Sequence, residues 1–215
     1  MSGTNMLSIV SYTLGPVLTN TYLVADDETG EAVVIDPADD GKHIVDDATQ
    51  RGWRIGSIWL THAHFDHIAG AAGVADACSP PPPVALHPDD YPLWRLQGGA
   101  ASFGMRIDPG PEPTVDLQHD QILNLGANKI QVRNAPGHSR GHVMFYCEMD
   151  SALFCGDVIF QGSIGRTDLP GGDYDTLISS IKSQVLSLPD DTRLLCGHGP
   201  ESTVGAERKF NPFLR

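Results

Sequence analysis

Short apolar and β-branched runs recur along the chain, each closed by glycine, proline or acidic residues, and this pattern predicts strands near Leu7–Leu14, Thr21–Ala25, Ala32–Ile35, Ser57–Thr61, Val84–Leu86, Lys129–Arg133, His142–Cys147, Ala152–Cys155 and Arg193–Cys196. Helical spacing is less frequent. It is found at Lys42–Arg51, Ile68–Ala77, Asp89–Leu96 and Tyr174–Leu188, with a last short helix over Val204–Phe210. Strands with helices interspersed predict a layered α/β architecture in which the helices lie outside. The run Pro80–Pro83 reads as a rigid extended spacer. Between Gln97 and Asp116 a Gly/Pro-rich stretch shows no period, the signature of a lid, a binding loop or a plain mobile loop.

Length and composition narrow the class. A chain of 215 residues supports one sizeable core, so residues 1–215 are read as a single domain. No apolar run is long enough to cross a membrane. The first basic side chain is Lys42, which argues against a secretory or mitochondrial leader, and the four cysteines are dispersed without a C-x-x-C pair. A reducing, cytoplasmic setting is expected. With a formal net charge of −13 the chain lacks the basic face that a phosphate backbone demands, so nucleic acid is not expected as a partner. Phe213 and Leu214 near the C-terminus would suit packing on the body or on a second copy in a homo-oligomer.

The chemistry is concentrated in Thr61-His62-Ala63-His64-Phe65-Asp66-His67 at the end of the fourth expected strand. In extended backbone alternate residues face one side, so His62 and His64 would point at one ion. Asp66 and His67, beyond the turn into the next helix, would serve a second. His138, Asp157 and His198 each follow an expected strand and each is preceded by a glycine: Gly137, Gly156 and Gly197. Glycine permits the tight turn that swings a ligand over a strand end. Imidazole and carboxylate suit two divalent ions, zinc foremost, with iron or manganese as alternatives. Seven donors exceed what one ion takes, and two ions sharing a carboxylate resolve the count. His43, His87 and His119 read as surface residues, and His142 as a partner behind His138 or as the start of a strand.

The H-x-H-x-D-H segment, followed by Pro136-Gly137-His138, Gly156-Asp157 and Gly197-His198, resembles the metallo-β-lactamase superfamily. The resemblance covers nearly the whole chain and implies an α/β fold, a four-layer αβ/βα sandwich with metals at one edge. It also implies that His62, His64 and His138 hold one ion, that Asp66, His67 and His198 hold the other, and that Asp157 bridges them. Within the superfamily, Gly165-Arg166-Thr167-Asp168, Gly171-Gly172-Asp173 and Asn211-Pro212-Phe213 resemble the small glyoxalase II-like proteins, the hydroxyacylglutathione hydrolases. A small-molecule thioester such as S-lactoylglutathione is then the implied substrate, cleaved by a hydroxide shared between the ions and oriented by Asp66. Arg166 would meet a glutathione carboxylate, or pair instead with Asp168 or Asp173. Two departures stand out: full-length members carry a C-terminal helical domain, whereas this chain stops about 17 residues after His198, and Pro200 replaces their tyrosine. Alternatives on the same fold are a mononuclear-iron persulfide dioxygenase, which shares the Gly-Arg-Thr-Asp segment, a lactonase or another ester or β-lactam hydrolase, and a binding module braced by metal.

Overall fold

The computed structural model describes residues 6–215. The chain begins with β1 (Ser8–Leu14), β2 (Thr19–Asp26) and β3 (Glu31–Ile35), continues through α1 (Gly41–Gln50) to β4 (Arg54–Trp59), and then through α2 (Phe65–Ile68) and α3 (Ala71–Ala77) to β5 (Val84–Leu86). After α4 (Tyr91–Arg95) come β6 (Val115–Asp116), β7 (Ile122–Leu125), β8 (Asn128–Asn134), β9 (Val143–Cys147), β10 (Ala152–Gly156), β11 (Ile159–Phe160) and β12 (Ser163–Ile164). The order ends with α5 (Tyr174–Ser180), β13 (Arg193–Cys196), β14 (Ser202–Thr203) and α6 (Val204–Phe210).

Two six-stranded sheets form, in the orders β1-β2-β3-β4-β5-β6 and β14-β13-β10-β9-β8-β7, beside a small β11-β12 hairpin. The central strands are apolar at nearly every position because both their faces are covered. Period two divides them. Tyr22, Val24, Val33, Ile35, Trp59, Val132, Phe145 and Phe154 interdigitate between the sheets, whereas Leu23, Ala25, Val34 and Ile58 meet Ile44, Ala48 and Val74 of α1 and α3 outside the first sheet. Met144, Leu153, Cys155 and Leu194 meet Leu177 and Ile181 outside the second. Helix, sheet, sheet and helix are therefore stacked, which is the expected four-layer αβ/βα arrangement. Among the described residues no helix is long and apolar enough to cross a membrane.

Most expected elements lie within a few residues of their predicted bounds, β9 among them with its start at Val143 rather than His142; three differ in kind. The helix expected over Ile68–Ala77 is split at Ala69–Gly70, where the Gly70 N–H donates to Pro37 O at 2.8 Å and ties the break to the loop after β3. The helix expected to Leu188 is α-helical only to Ser180 and widens into a π-turn over Ile181–Val185. The stretch from Gln97 to Asp116 is not structureless: 3₁₀ turns over Gln97–Phe103 kink at Gly98 and Gly99, and β6 closes it against the edge of the first sheet. The proline run enters β5 directly, as a spacer would.

Candidate metal centre

All seven candidate donors sit at the edge where the two sheets open. His62 and His64 follow β4, Asp66 and His67 lie in α2, and His138 follows β8. Asp157 and His198 follow β10 and β13, which are parallel neighbours and so deliver both side chains to the same end. The sheets are joined here. Thr19 at the start of β2 bridges to His198, the Asn20 N–H donates to Gly197 O at 2.7 Å, and the Val143 N–H donates to Thr61 O at 2.8 Å. Gly137 and Gly156 take positive φ as expected of turning positions. Gly197 does not; what it supplies is space, because a Cβ there would lie 2.2 Å from Asp157 Oδ1.

Two clusters result. His138 Nε2 lies 2.8 Å from His64 Nδ1 and 3.2 Å from His62 Nε2. Asp66 Oδ2 lies 3.2 Å from His198 Nε2 and 3.5 Å from His67 Nε2. Asp157 stands between them, with Oδ1 3.3 Å from His67 Nε2, and Oδ2 3.6 Å from His138 Nε2 and 3.5 Å from His198 Nε2. The first cluster is buried. The second is the open side, with His198 exposed by 28% and Asp66 by 12% of their side chains.

Behind the donors lies a second set of contacts that sequence reasoning missed. Asp36, at the end of β3, accepts from the Thr61 N–H at 2.7 Å and the Thr61 hydroxyl at 2.6 Å, and its Oδ2 lies 2.9 Å from His67 Nδ1. Because the Thr61 hydroxyl proton goes to Asp36, Thr61 Oγ1 accepts from His62 Nδ1 at 3.0 Å. One carboxylate thus orders two imidazoles, turning the Nε2 of each toward the centre. His138 Nδ1 donates to Arg166 O at 2.8 Å and is oriented likewise. The Asp157 N–H donates to His142 Nε2 at 3.1 Å, and the His142 ring stacks on His62, which gives that residue the supporting place expected as one of its two readings. Buried Asp90 accepts from the Ala63 N–H, the Ser139 hydroxyl and the Gly141 N–H, pinning the His62–His67 loop to the His138 loop. The only sequence signal for Asp36 and Asp90 is a carboxylate beside a strand end or helix start, which is common without function.

Electrostatics divide the clusters. Burial and neighbouring imidazoles push His62 well below its ordinary value and His64 down to about 3, and burial lowers His138 and His142 too. These rings are neutral, and those of His62, His64 and His138 converge on one point with a ring nitrogen each. On the other side burial works against charge, yet the charged forms win. Asp66 is held at about 2 by His67, His198 and Thr19, and Asp157 is held well below the carboxylate range by His67 and His198. The same carboxylates lift His67 well above its ordinary value and His198 to about 9.

The donor set fits divalent cations on a further observation: His67 Nε2 and Asp157 Oδ1, 3.3 Å apart, are buried and neither makes a hydrogen bond. Buried polar atoms are rarely left so, and both face the centre. Arg166 is elsewhere engaged. Its guanidinium makes a two-pronged pair with Asp168 at 2.7 and 2.8 Å and points into solvent. His43 and His119 are exposed, and His87 is largely buried against Asn134 rather than on the surface, because its Nε2 lies 3.2 Å from the Asn134 side-chain amide.

Comparison with known proteins bears on this site. The sequence profile of the metallo-beta-lactamase superfamily matches residues 14–198, which hold all seven donors. The hydroxyacylglutathione hydrolase GloC of Haemophilus influenzae is 35% identical over 196 residues, 91% of this chain and 92% of that one. The BLEG-1 B3 metallo-beta-lactamase superposes with a TM-score of 0.88 at 38% identity, covering 97% of this chain and 99% of its own. TTHA1623 in a di-iron-bound form superposes with a TM-score of 0.86 at 41% identity, over 95% of this chain and 100% of that one.

Proposed function

From the premise that this chain belongs to the metallo-beta-lactamase superfamily of metal-binding hydrolases, we propose that it cleaves thioesters of the S-acylglutathione type, such as S-lactoylglutathione, at a two-metal centre. The observation that carries the reading is Asp157, whose Oδ2 lies between His138 of one imidazole cluster and His198 of the other while its buried Oδ1 faces His67. The di-iron form of a relative at 41% identity supports two ions, and GloC supports the substrate class.

His62, His64 and His138 would hold one ion, Asp66, His67 and His198 the other, and Asp157 would be shared. When bound, such ions supply a water that ionises near pH ~7 and a Lewis acid for the carbonyl. Zinc, iron and manganese all accept these donors, with zinc the first choice for imidazole and carboxylate. Asp36, Thr61 and the Arg166 carbonyl fix imidazole direction before substrate arrives, so little reorganisation remains for the reaction. Asp66, whose Oδ2 accepts from the Thr19 hydroxyl at 2.8 Å on the open side, would additionally accept a hydrogen bond from the attacking water and orient it. Water adds to the acyl carbon, the C–S bond breaks, and carboxylate and thiol leave. A thiolate departs without a strong general acid, which matches a site whose donors are imidazoles and carboxylates.

The test uses protein loaded separately with zinc and with iron, metal stoichiometry measured on each sample, and anaerobic and aerobic assays of S-lactoylglutathione, a lactone and a chromogenic β-lactam. Two metals per chain and anaerobic thioester hydrolysis are expected. Asp157→Ala is expected to lower turnover by at least about a hundredfold and to lose metal in the same preparation. Preference for the β-lactam, for which BLEG-1 at 38% identity is the warrant, would overturn the substrate class. One iron per chain with oxygen uptake on glutathione persulfide would overturn the hydrolase mechanism.

A further inference from the structure

Beside the open edge of the centre lies a cleft of about 360 Å³ lined by Gly15, Pro16, Asp39, Asp66, Met105 and Arg106, among others. One wall is the β1–β2 turn and the other is the segment after Gly104. Asp66 connects this cleft to the proposed reacting atoms. Arg106 is exposed and has no acid within 4 Å among the described residues, although 27 acids outnumber 14 bases in the chain. Six other arginines, Arg51, Arg54, Arg95, Arg166, Arg193 and Arg208, each have a carboxylate partner, while Arg133, Arg140 and Arg215 lack one among the described residues as Arg106 does but do not line this cleft.

The backbone that carries Arg106 is held on both sides. The Met105 N–H donates to Ala100 O at 3.0 Å, Ile107 packs into the helical layer outside the first sheet, and the Trp94 indole N–H donates to Pro109 O at 3.2 Å. A guanidinium on an anchored segment, with no internal partner, in a cleft that shares a wall with the reaction centre, is arranged to receive an anion from solution. Across the cleft one oxygen of Asp39 accepts the Asp40 N–H at 2.8 Å, and the other remains for a cationic group. The lining therefore offers one cation on an anchored backbone and, besides Asp66 of the metal centre, one further carboxylate in Asp39, complementary to a zwitterionic thiol carrier.

We propose that Arg106, not Arg166, anchors the carboxylate of the thiol carrier and thereby selects glutathione-type thioesters over neutral ones; this rests on the thioesterase reading above. Arg106 is a specificity residue that acts on binding, while the chemistry stays with the metal centre. Because the chain carries a net charge of −13, a local cation also offsets the repulsion an anionic substrate meets on approach.

The test compares wild type, Arg106→Ala, Arg106→Lys and Arg166→Ala, all zinc-loaded. S-Methylglutathione, a thioether that cannot be hydrolysed, is titrated calorimetrically. S-Lactoylglutathione and the lactoyl thioester of N-acetylcysteamine, a neutral carrier, are assayed kinetically. Arg106→Ala is expected to weaken S-methylglutathione binding about tenfold and to raise KM for S-lactoylglutathione by a similar factor with kcat retained. Arg106→Lys should recover part of the loss, and the neutral thioester should be unaffected. Equal S-methylglutathione affinity in wild type and Arg106→Ala, or a loss confined to Arg166→Ala, would overturn the assignment. If wild type hydrolyses neither thioester yet binds S-methylglutathione through Arg106, the thioesterase reading fails while the anchor stands.

Discussion

At the scale of single residues, Asp36 shows how much of the centre depends on a side chain outside the donor set. Its left-handed backbone, φ 50°, turns the carboxylate back over the end of β3, where it takes both the Thr61 N–H and hydroxyl and faces His67 Nδ1. Replacing it by asparagine preserves shape but places an amide N–H where His67 Nδ1–H donates, so the imidazole must turn or lose its partner. Asp36→Asn is therefore expected to weaken metal binding by roughly 10–100-fold with the donors untouched. A competition titration with a zinc chelator measures this, and an unchanged affinity would mean that His67 is oriented by something else. The gathering of these side chains was legible in the sequence because histidine and aspartate packed as H-x-H-x-D-H have few structural uses. Asp36 and Asp90 were not: an acid after a strand or at a helix start is ordinary, and only tertiary contact reveals that Asp90 joins Ala63, Ser139 and Gly141.

At the scale of elements, α2 is a single turn too short to be stable by itself, so its position is imposed by what packs on it. Gly98 in the neighbouring 3₁₀ segment has φ +63°, and a Cβ there would lie 2.2 Å from Phe65 N and 2.7 Å from Ala63 O. Gly104, six residues on, has φ +70° but meets nothing within 4 Å. Both positions carry the left-handed strain that an alanine would suffer, roughly 1–2 kcal/mol, so the pair isolates the contact. Gly98→Ala is expected to cost on the order of 3 kcal/mol or more in urea denaturation and to lower metal content by displacing Asp66 and His67. Gly104→Ala should show the smaller backbone cost and keep its metal. Equal midpoints for the two would remove the argument that the 3₁₀ segment braces α2. This coupling was invisible in the sequence, where Gln97–Asp116 reads as an aperiodic stretch, because the turns there are stabilised by what they touch and carry no repeating apolar spacing. The central strands were legible for the opposite reason: β2, β9 and β10 are buried on both faces, and β9, β10 and the Tyr22–Ala25 part of β2 spell continuous apolar runs. Two-residue strands such as β6, β11 and β14 are too short for any period to show.

At the scale of the whole molecule, the candidate metal centre joins the halves of the sandwich. His62, His64, Asp66 and His67 ride on the first sheet, whereas His138, Asp157 and His198 ride on the second, and between the sheets the apolar layer of Tyr22, Trp59, Phe145 and Phe154 holds them in register. An ion that binds donors from both sheets binds only when they are docked, so its affinity adds to the stability of the folded chain. At a thousandfold excess over Kd that addition is about 4 kcal/mol. For a chain of this size it corresponds to a rise in Tm on the order of 10 °C. Chelator-treated protein should therefore melt lower than zinc-reloaded protein, and the increment should grow with the logarithm of free zinc. In Asp157→Ala, where the shared carboxylate is gone, most of the increment should disappear even though the apolar layer is intact. Thermal melts of wild type and variant across a zinc series test this. A wild-type Tm that does not respond to zinc would show that the two sheets are held by their apolar contact alone and that the seven side chains do not act on a common pair of ions.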